Sequence, residues 1–167
     1  VGFAFLTYSQ DKTKKDTIET MKMEELPAVV INRAGADFSV YITDKHPDKS
    51  VTDLQEKFVA YDLGKDYEGY ETYLLIMKSK NRSLSATYNE KGKLIRVVEN
   101  YKNVRMPNEV IYSVYKTYPG WTIINDKYLY SQEEGDITKK QYRIKIKKGD
   151  EIRRLAVHDN GEILKVK

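Results

Sequence analysis

Apolar and polar residues alternate along Tyr142-Arg143-Ile144-Lys145-Ile146-Lys147, the period of a half-buried strand with its basic side chains outward. Tyr73-Leu74-Leu75-Ile76-Met77 is apolar at every position, which predicts a more central strand covered on both faces. Val110, Ile111, Val114, Tyr115 and Tyr118 recur at helical spacing and stop at Pro119-Gly120, predicting a helix there. A matching stripe, Leu26, Val30, Ile31, Ala34 and Phe38, predicts an earlier helix that Gly35 weakens. Asn160-Gly161 and Lys91-Gly92 are tight hairpin signals. Ser50 with Asp53 has the form of a capping box and predicts a short helix over about 51–57, after a loop at Asp44-Lys45-His46-Pro47-Asp48.

These patterns occur twice. Residues 58–95 lie on 127–164 without a gap at a shift of 69, pairing Tyr61 with Tyr130, Tyr73 with Tyr142 and Gly92 with Gly161. Leu84 meets Arg153 in this register, a mismatch that predicts a bulge or a one-residue slip. Upstream the shift becomes 80, pairing Leu26-Pro27 with Met106-Pro107, so the first copy carries 11 extra residues within about 39–57. Proline suits the first turn of a helix. The expected fold class is α+β: two repeated units, each a helix packed on an antiparallel β-sheet. The expected divisions are a residual signal or flexible N-terminus at 1–17, a first unit at 18–101 with the insertion, and a second unit at 102–167.

Four segments carry a family resemblance: Leu26-Pro27-Ala28-Val29-Val30, Met106-Pro107-Asn108-Glu109-Val110, Tyr142-Arg143-Ile144-Lys145-Ile146 and His158-Asp159-Asn160-Gly161-Glu162-Ile163. Over most of 20–167 the chain resembles a tandem PepSY-like, β-lactamase-inhibitor-like exported bacterial domain. The resemblance implies a helix on an antiparallel sheet and binding of a protein or peptide, and it brings no catalytic residues. A tandem pair is also similar to the two-unit inhibitors of β-lactamase, which grip a target with a concave, aromatic-rich sheet. This chain has no cysteine and so lacks their disulfides, and their target is not carried over.

Composition narrows the chemistry. No cysteine means no disulfide and no thiolate metal site. No apolar run reaches about 18 residues, so no transmembrane segment is expected. Val1-Gly2-Phe3-Ala4-Phe5-Leu6-Thr7-Tyr8-Ser9-Gln10 reads as the tail of a signal h-region, with Thr7 and Ser9 before a cleavage site, or else as a short first strand. The signal reading implies a periplasmic or secreted protein. His46 and His158 have no second ligand at zinc spacing. Asp62, Asp66, Glu68 and Glu71 are acidic enough to hold a hard cation but lack the spacing of an EF-hand loop. No nucleophile elbow or phosphate loop is present.

Charge and aromatics point to binding. The net charge is +4, but from Ile137 onward Lys and Arg number 10 against 4 acids. Arg143, Lys145 and Lys147, with Lys139, Lys140 and Lys148, form a basic strand face that reads as solvated, as meeting an acidic partner or an anionic surface, or as touching nucleic-acid phosphates. No motif that reads DNA or RNA accompanies it, and no nucleic acid partner is expected. Tyrosine is in excess at 14 residues, and Tyr and Trp concentrate at recognition sites. Tyr73, Tyr115, Tyr118 and Tyr142 are the expected core rings, leaving Tyr67, Tyr70, Trp121, Tyr128 and Tyr130 as candidate partner-binding residues. The expectation is an exported, non-enzymatic module without cofactor that recognises a protein or peptide in the cell envelope, in an inhibitor-like manner. The alternative is a small-ligand or calcium-binding periplasmic protein.

Overall fold

A computed structural model describes residues 29–34 and 37–167. Two strands, β1 (Val29–Ala34) and β2 (Asp37–Ile42), pair antiparallel as a separate ribbon. Helix α1 (Lys49–Val59) follows. Then come β3 (Thr72–Ser79), β4 (Arg82–Asn89) and β5 (Leu94–Lys102), helix α2 (Asn108–Thr117), and β6 (Thr122–Glu133), β7 (Asp136–Lys148), β8 (Glu151–His158) and β9 (Ile163–Val166). Strands β3 to β9 form one seven-stranded antiparallel sheet in chain order. Among the described residues no helix is long and apolar enough to cross a membrane.

This architecture corrects the expected pair of helix-on-sheet units: the sheet is single and continuous. The stripe from Leu26 to Phe38 is not a helix; residues 29–34 and 37–42 are β1 and β2, and Leu26-Pro27 lies outside the described residues. The β-branched run Val29-Val30-Ile31 and the alternation of Phe38-Ser39-Val40-Tyr41-Ile42 favour extended chain, and a glycine at 35 weakens the helical alternative. Helix α1 arises from the insertion instead, capped by Asp48, whose side chain accepts from the Ser50 amide. At the shift of 69, the end of α1 and the loop after it lie on strand β6. Tyr61 is therefore an exposed loop residue while Tyr130 is buried in the sheet.

What does recur is the strand arrangement. β4 and β5 slip register at Thr87/Tyr88, and β8 and β9 slip at the matching Ala156/Val157. The mismatch at Leu84 and Arg153 carries no bulge in β4 or β8. Leu84 is buried, whereas Arg153 lays its guanidinium 4.7 Å from the centroid of the Trp121 ring, so a cation–π contact fills a place where packing fills the other. β3 is not central but the sheet's edge, with Leu74 and Ile76 exposed; its two apolar faces do not mark burial on both.

One face of the sheet carries the core. Leu84, Val97, Tyr101, Tyr128, Tyr142, Ile144, Ile146, Leu155 and Val157 pack with Val51, Leu54 and Phe58 of α1 and Val110 and Val114 of α2 in a single cluster. The other face exposes Lys102, Arg143, Lys145 and Arg154, with Leu129 and Ser131 buried near its middle. Gly161, in the β8–β9 turn, lies against α2: a Cβ there would sit 2.7 Å from the Glu109 carbonyl oxygen, and its φ of +92° is left-handed. Gly149, in the β7–β8 turn, has φ +57° but open space around it. Gly149→Ala is expected to cost about 1–3 kcal/mol in backbone strain. Gly161→Ala is expected to cost distinctly more, because helix backbone obstructs the methyl; urea unfolding of both variants measures the difference.

Candidate functional site

The inner face of the sheet is closed by a polar seam under the chain from β2 to α1. Glu99 on β5, fully buried, accepts from Tyr41 Oη (2.5 Å), Tyr101 Oη (2.5 Å) and Gln55 Nε2 (2.9 Å). These donors come from β2, β5 and α1. Gln55 Oε1 in turn accepts from the Asp44 amide at 2.9 Å. Tyr128 Oη donates to Asp44 Oδ2 at 2.6 Å, and Lys140 bridges Asp44 (2.9 Å) and Asp159 (2.7 Å). Tyr130 Oη donates to the Ile42 carbonyl, and the Gln132 amide pairs with Ile42 N–H and the Val40 carbonyl. Among the described residues every buried polar side-chain atom has a partner. Burial pushes the Glu99 carboxyl up despite the bonds from Tyr101, Tyr41 and Gln55, and burial raises the phenols of Tyr41, Tyr101 and Tyr128 far above the usual range. A seam of groups paired with one another holds the β2–α1 chain to the sheet.

His46 belongs to the same seam. The Asp48 amide donates to its Nδ1 at 3.0 Å, so in the neutral ring the proton sits on Nε2 and donates to Tyr142 Oη at 2.6 Å. Tyr128 packs on the imidazole with centroids 4.5 Å apart.

The open face is different in kind. Residues directly opposite in adjacent strands point to the same side. Lys102 opposes Lys127, Lys127 opposes Arg143, Arg143 opposes Ala156, and Ala156 opposes Lys165. One step along β7, Lys145 opposes Arg154, which exchanges backbone hydrogen bonds with Lys167. Seven cations thus stand in two rows across five strands. A shallow groove of about 670 Å³ runs between these rows over β6 to β9, and no Asp or Glu lines it. Ala156 and Leu164 give it apolar contact. None of the seven is in an ion pair among the described residues; the face's repulsion is uncompensated.

The expected partner-binding rings are not gathered on a surface. Tyr128 and Tyr130 lie fully inside the polar seam. Trp121 is buried between Tyr118 and Arg153, and Tyr67 is buried over Gly92. Tyr70 alone of the five is exposed, beside Tyr73 with ring centroids 6.1 Å apart. Tyr115, expected in the core, is exposed on α2. The acids Asp62, Asp66, Glu68 and Glu71 fall in the loop after α1. There Asp62 accepts from the Gly64 amide and Glu68 meets Lys65, and among the described residues no group of three or more His, Asp or Glu side chains is set to hold a metal ion. Of the basic residues read from the sequence, Arg143, Lys145 and Lys147 face outward, but Lys140 turns inward to Asp44 and Asp159. Lys102, Lys127, Arg154, Lys165 and Lys167 complete the face. Their signal was the cross-strand register, which no single segment contains.

Two outcomes test the seam. Glu99→Ala leaves three buried donors without an acceptor and is expected to lower stability by about 3–5 kcal/mol in urea unfolding. Burial, outweighing the opposing pull of Asp44 and Asp48, lowers His46 from its ordinary 6.5. The neutral ring is therefore favoured by folding, and its contribution is complete above pH 6.5 and is lost as pH falls through the folded value. Protonation of Nδ1 also removes the acceptor for the Asp48 amide. The melting temperature is expected to fall between about pH 7 and 5, and His46→Gln is expected to flatten that slope.

No family model matches the chain, and no curated protein matches it. A solved structure described as a DUF2874 family protein from Bacteroides ovatus is similar over 74% of this chain and 88% of its own, at 13% identity and a TM-score of 0.38. At that level the likeness carries no argument about fold or function.

Proposed function

We propose that this chain is a non-enzymatic binding module whose open sheet face takes an acidic segment of a partner protein. The observation that carries the reading is the double row of cations around a groove without carboxylates. Lys127 against Arg143 and Lys145 against Arg154 are like-charge pairs that weaken an isolated sheet, and a docked polyanion converts that repulsion to attraction. The strand alternation suits an extended peptide: successive outward side chains on β7 and their cross-strand neighbours give a regular grid of donors. Arg143 and Arg154 add planar, bidentate recognition of carboxylates. The polar groups of the inner face support a binding reading over a catalytic one, since they are consumed in holding the β2–α1 chain to the sheet. Val1–Gln10 lies outside the described residues; its expected reading as the tail of a signal h-region, rather than a short first strand, would direct the search for the partner to the cell envelope.

The measurement is a fluorescence titration with a labelled poly-glutamate peptide at several salt concentrations. Binding that weakens steeply with salt is expected. The double variant Arg143→Glu/Lys145→Glu is expected to lose tenfold or more in affinity, about 1.4 kcal/mol, while its circular dichroism stays that of the parent. Equal binding by the double variant sinks the reading. So does a chain that ignores the peptide but binds a nucleic acid of the same charge.

A further inference from the structure

The two edges of the sheet are built differently. The β9 edge has four residues, a register slip in its pairing with β8, and Lys165 and Lys167 along it. Short length, irregular pairing and lysines are the usual protections of an edge. Of these the β3 edge has only a single lysine, Lys78, next to its last residue. Its eight residues pair with β4 without a slip, and among the described residues nothing pairs with its other side. From Tyr73 to Met77 it carries no charge, proline or glycine. Leu74 and Ile76 are 54% and 56% exposed on the open face, and Tyr73, Leu75 and Met77 are half-buried on the core face. Alternate residues of β3 turn their N–H and C=O away from β4, ready for a further strand.

We propose that β3 pairs antiparallel with β3 of a second copy of this chain, joining two sheets into one. The sequence selects the register. Side chains directly opposite share a face, so a shift by one residue, which sets core-side against solvent-side positions, is excluded. With the two-fold axis at Leu75, Leu75 faces Leu75, Leu74 faces Ile76 and Tyr73 faces Met77, so every pair in the centre is apolar on apolar. Moving the axis one residue either way sets Lys78 against Leu74, or Thr72 against Ile76. A strand whose own sequence complements it on both faces identifies the second copy as the occupant. The protected β9 edge then closes the assembly at two.

The test is sedimentation of the full chain over a series of concentrations. A dimer is expected for the parent, and Ile76→Lys is expected to sediment as a monomer, since each copy sets a charge opposite the apolar centre. Leu74→Lys, equally exposed, repeats the test should the first variant lose its circular dichroism. Leu164→Lys, at the β9 edge, is expected to leave the dimer intact. A parent chain that is monomeric throughout overturns the proposal. So does a dimer that survives both β3 variants, or one that Leu164→Lys dissolves.

Discussion

A carboxyl group inside a protein must be given hydrogen-bond partners, and Glu99 takes its partners from three separate elements. Tyr41 comes from the small ribbon, Gln55 from α1 and Tyr101 from the main sheet. Each donor reaches Glu99 only if its own element sits in place, so meeting one buried acceptor fixes the ribbon and the first helix on the sheet together. From there the seam continues through Gln55 to Asp44, and through Asp44 to Tyr128 and Lys140. The tyrosine excess has its explanation in this seam. A phenol offers a large apolar ring to the core and one hydroxyl to a polar chain, so Tyr41, Tyr101, Tyr128, Tyr130 and Tyr142 fill volume and supply hydrogen bonds at once.

With one face closed in this way, the strict alternation of the strands does the rest. In β7 one segment therefore gives Tyr142, Ile144 and Ile146 to the core and sets Arg143, Lys145 and Lys147 on the open face. Substitutions on the outer set act on charge without touching packing, while substitutions on the inner set act on the seam.

Local elements were legible in the sequence wherever one period dominated. The α2 stripe, the insertion helix, the β7 alternation and both glycine hairpins lie where the pattern put them. The failures have physical causes. A stripe such as Val30, Ile31 and Ala34 satisfies a helical period, but its β-branched residues also satisfy a strand, and the choice is made by pairing with β2. The repeat misled because similar sequence at a shift of 69 covers helix end and loop in one copy and strand β6 in the other. Tyr128 and Tyr130, chosen for a surface, are buried with their hydroxyls on partners far along the chain, Asp44 and the Ile42 carbonyl, and no local pattern encodes a contact over that separation. The cationic face was half visible for the same reason: β7 shows its own alternation, but Lys127, Arg154, Lys165 and Lys167 join it only through strand register.

The open face and the unprotected edge bear on each other through symmetry. A two-fold axis normal to the sheet leaves both open faces on the same side of a joined sheet. It also sets the β6–β9 groove of each copy at the far end from the β3 seam, because the strands run in chain order from the edge. Two cationic rows so placed repel each other weakly, being separated by the outer positions of β3 and β4, where Lys78 is the one charge, and screened by salt. If both proposals hold, an acidic partner with two such segments, spaced to span the joint, would bind the second groove intramolecularly and gain affinity without any new contact. A partner with a single segment gains nothing. The edge strand would therefore select among acidic partners that the cationic face alone treats alike.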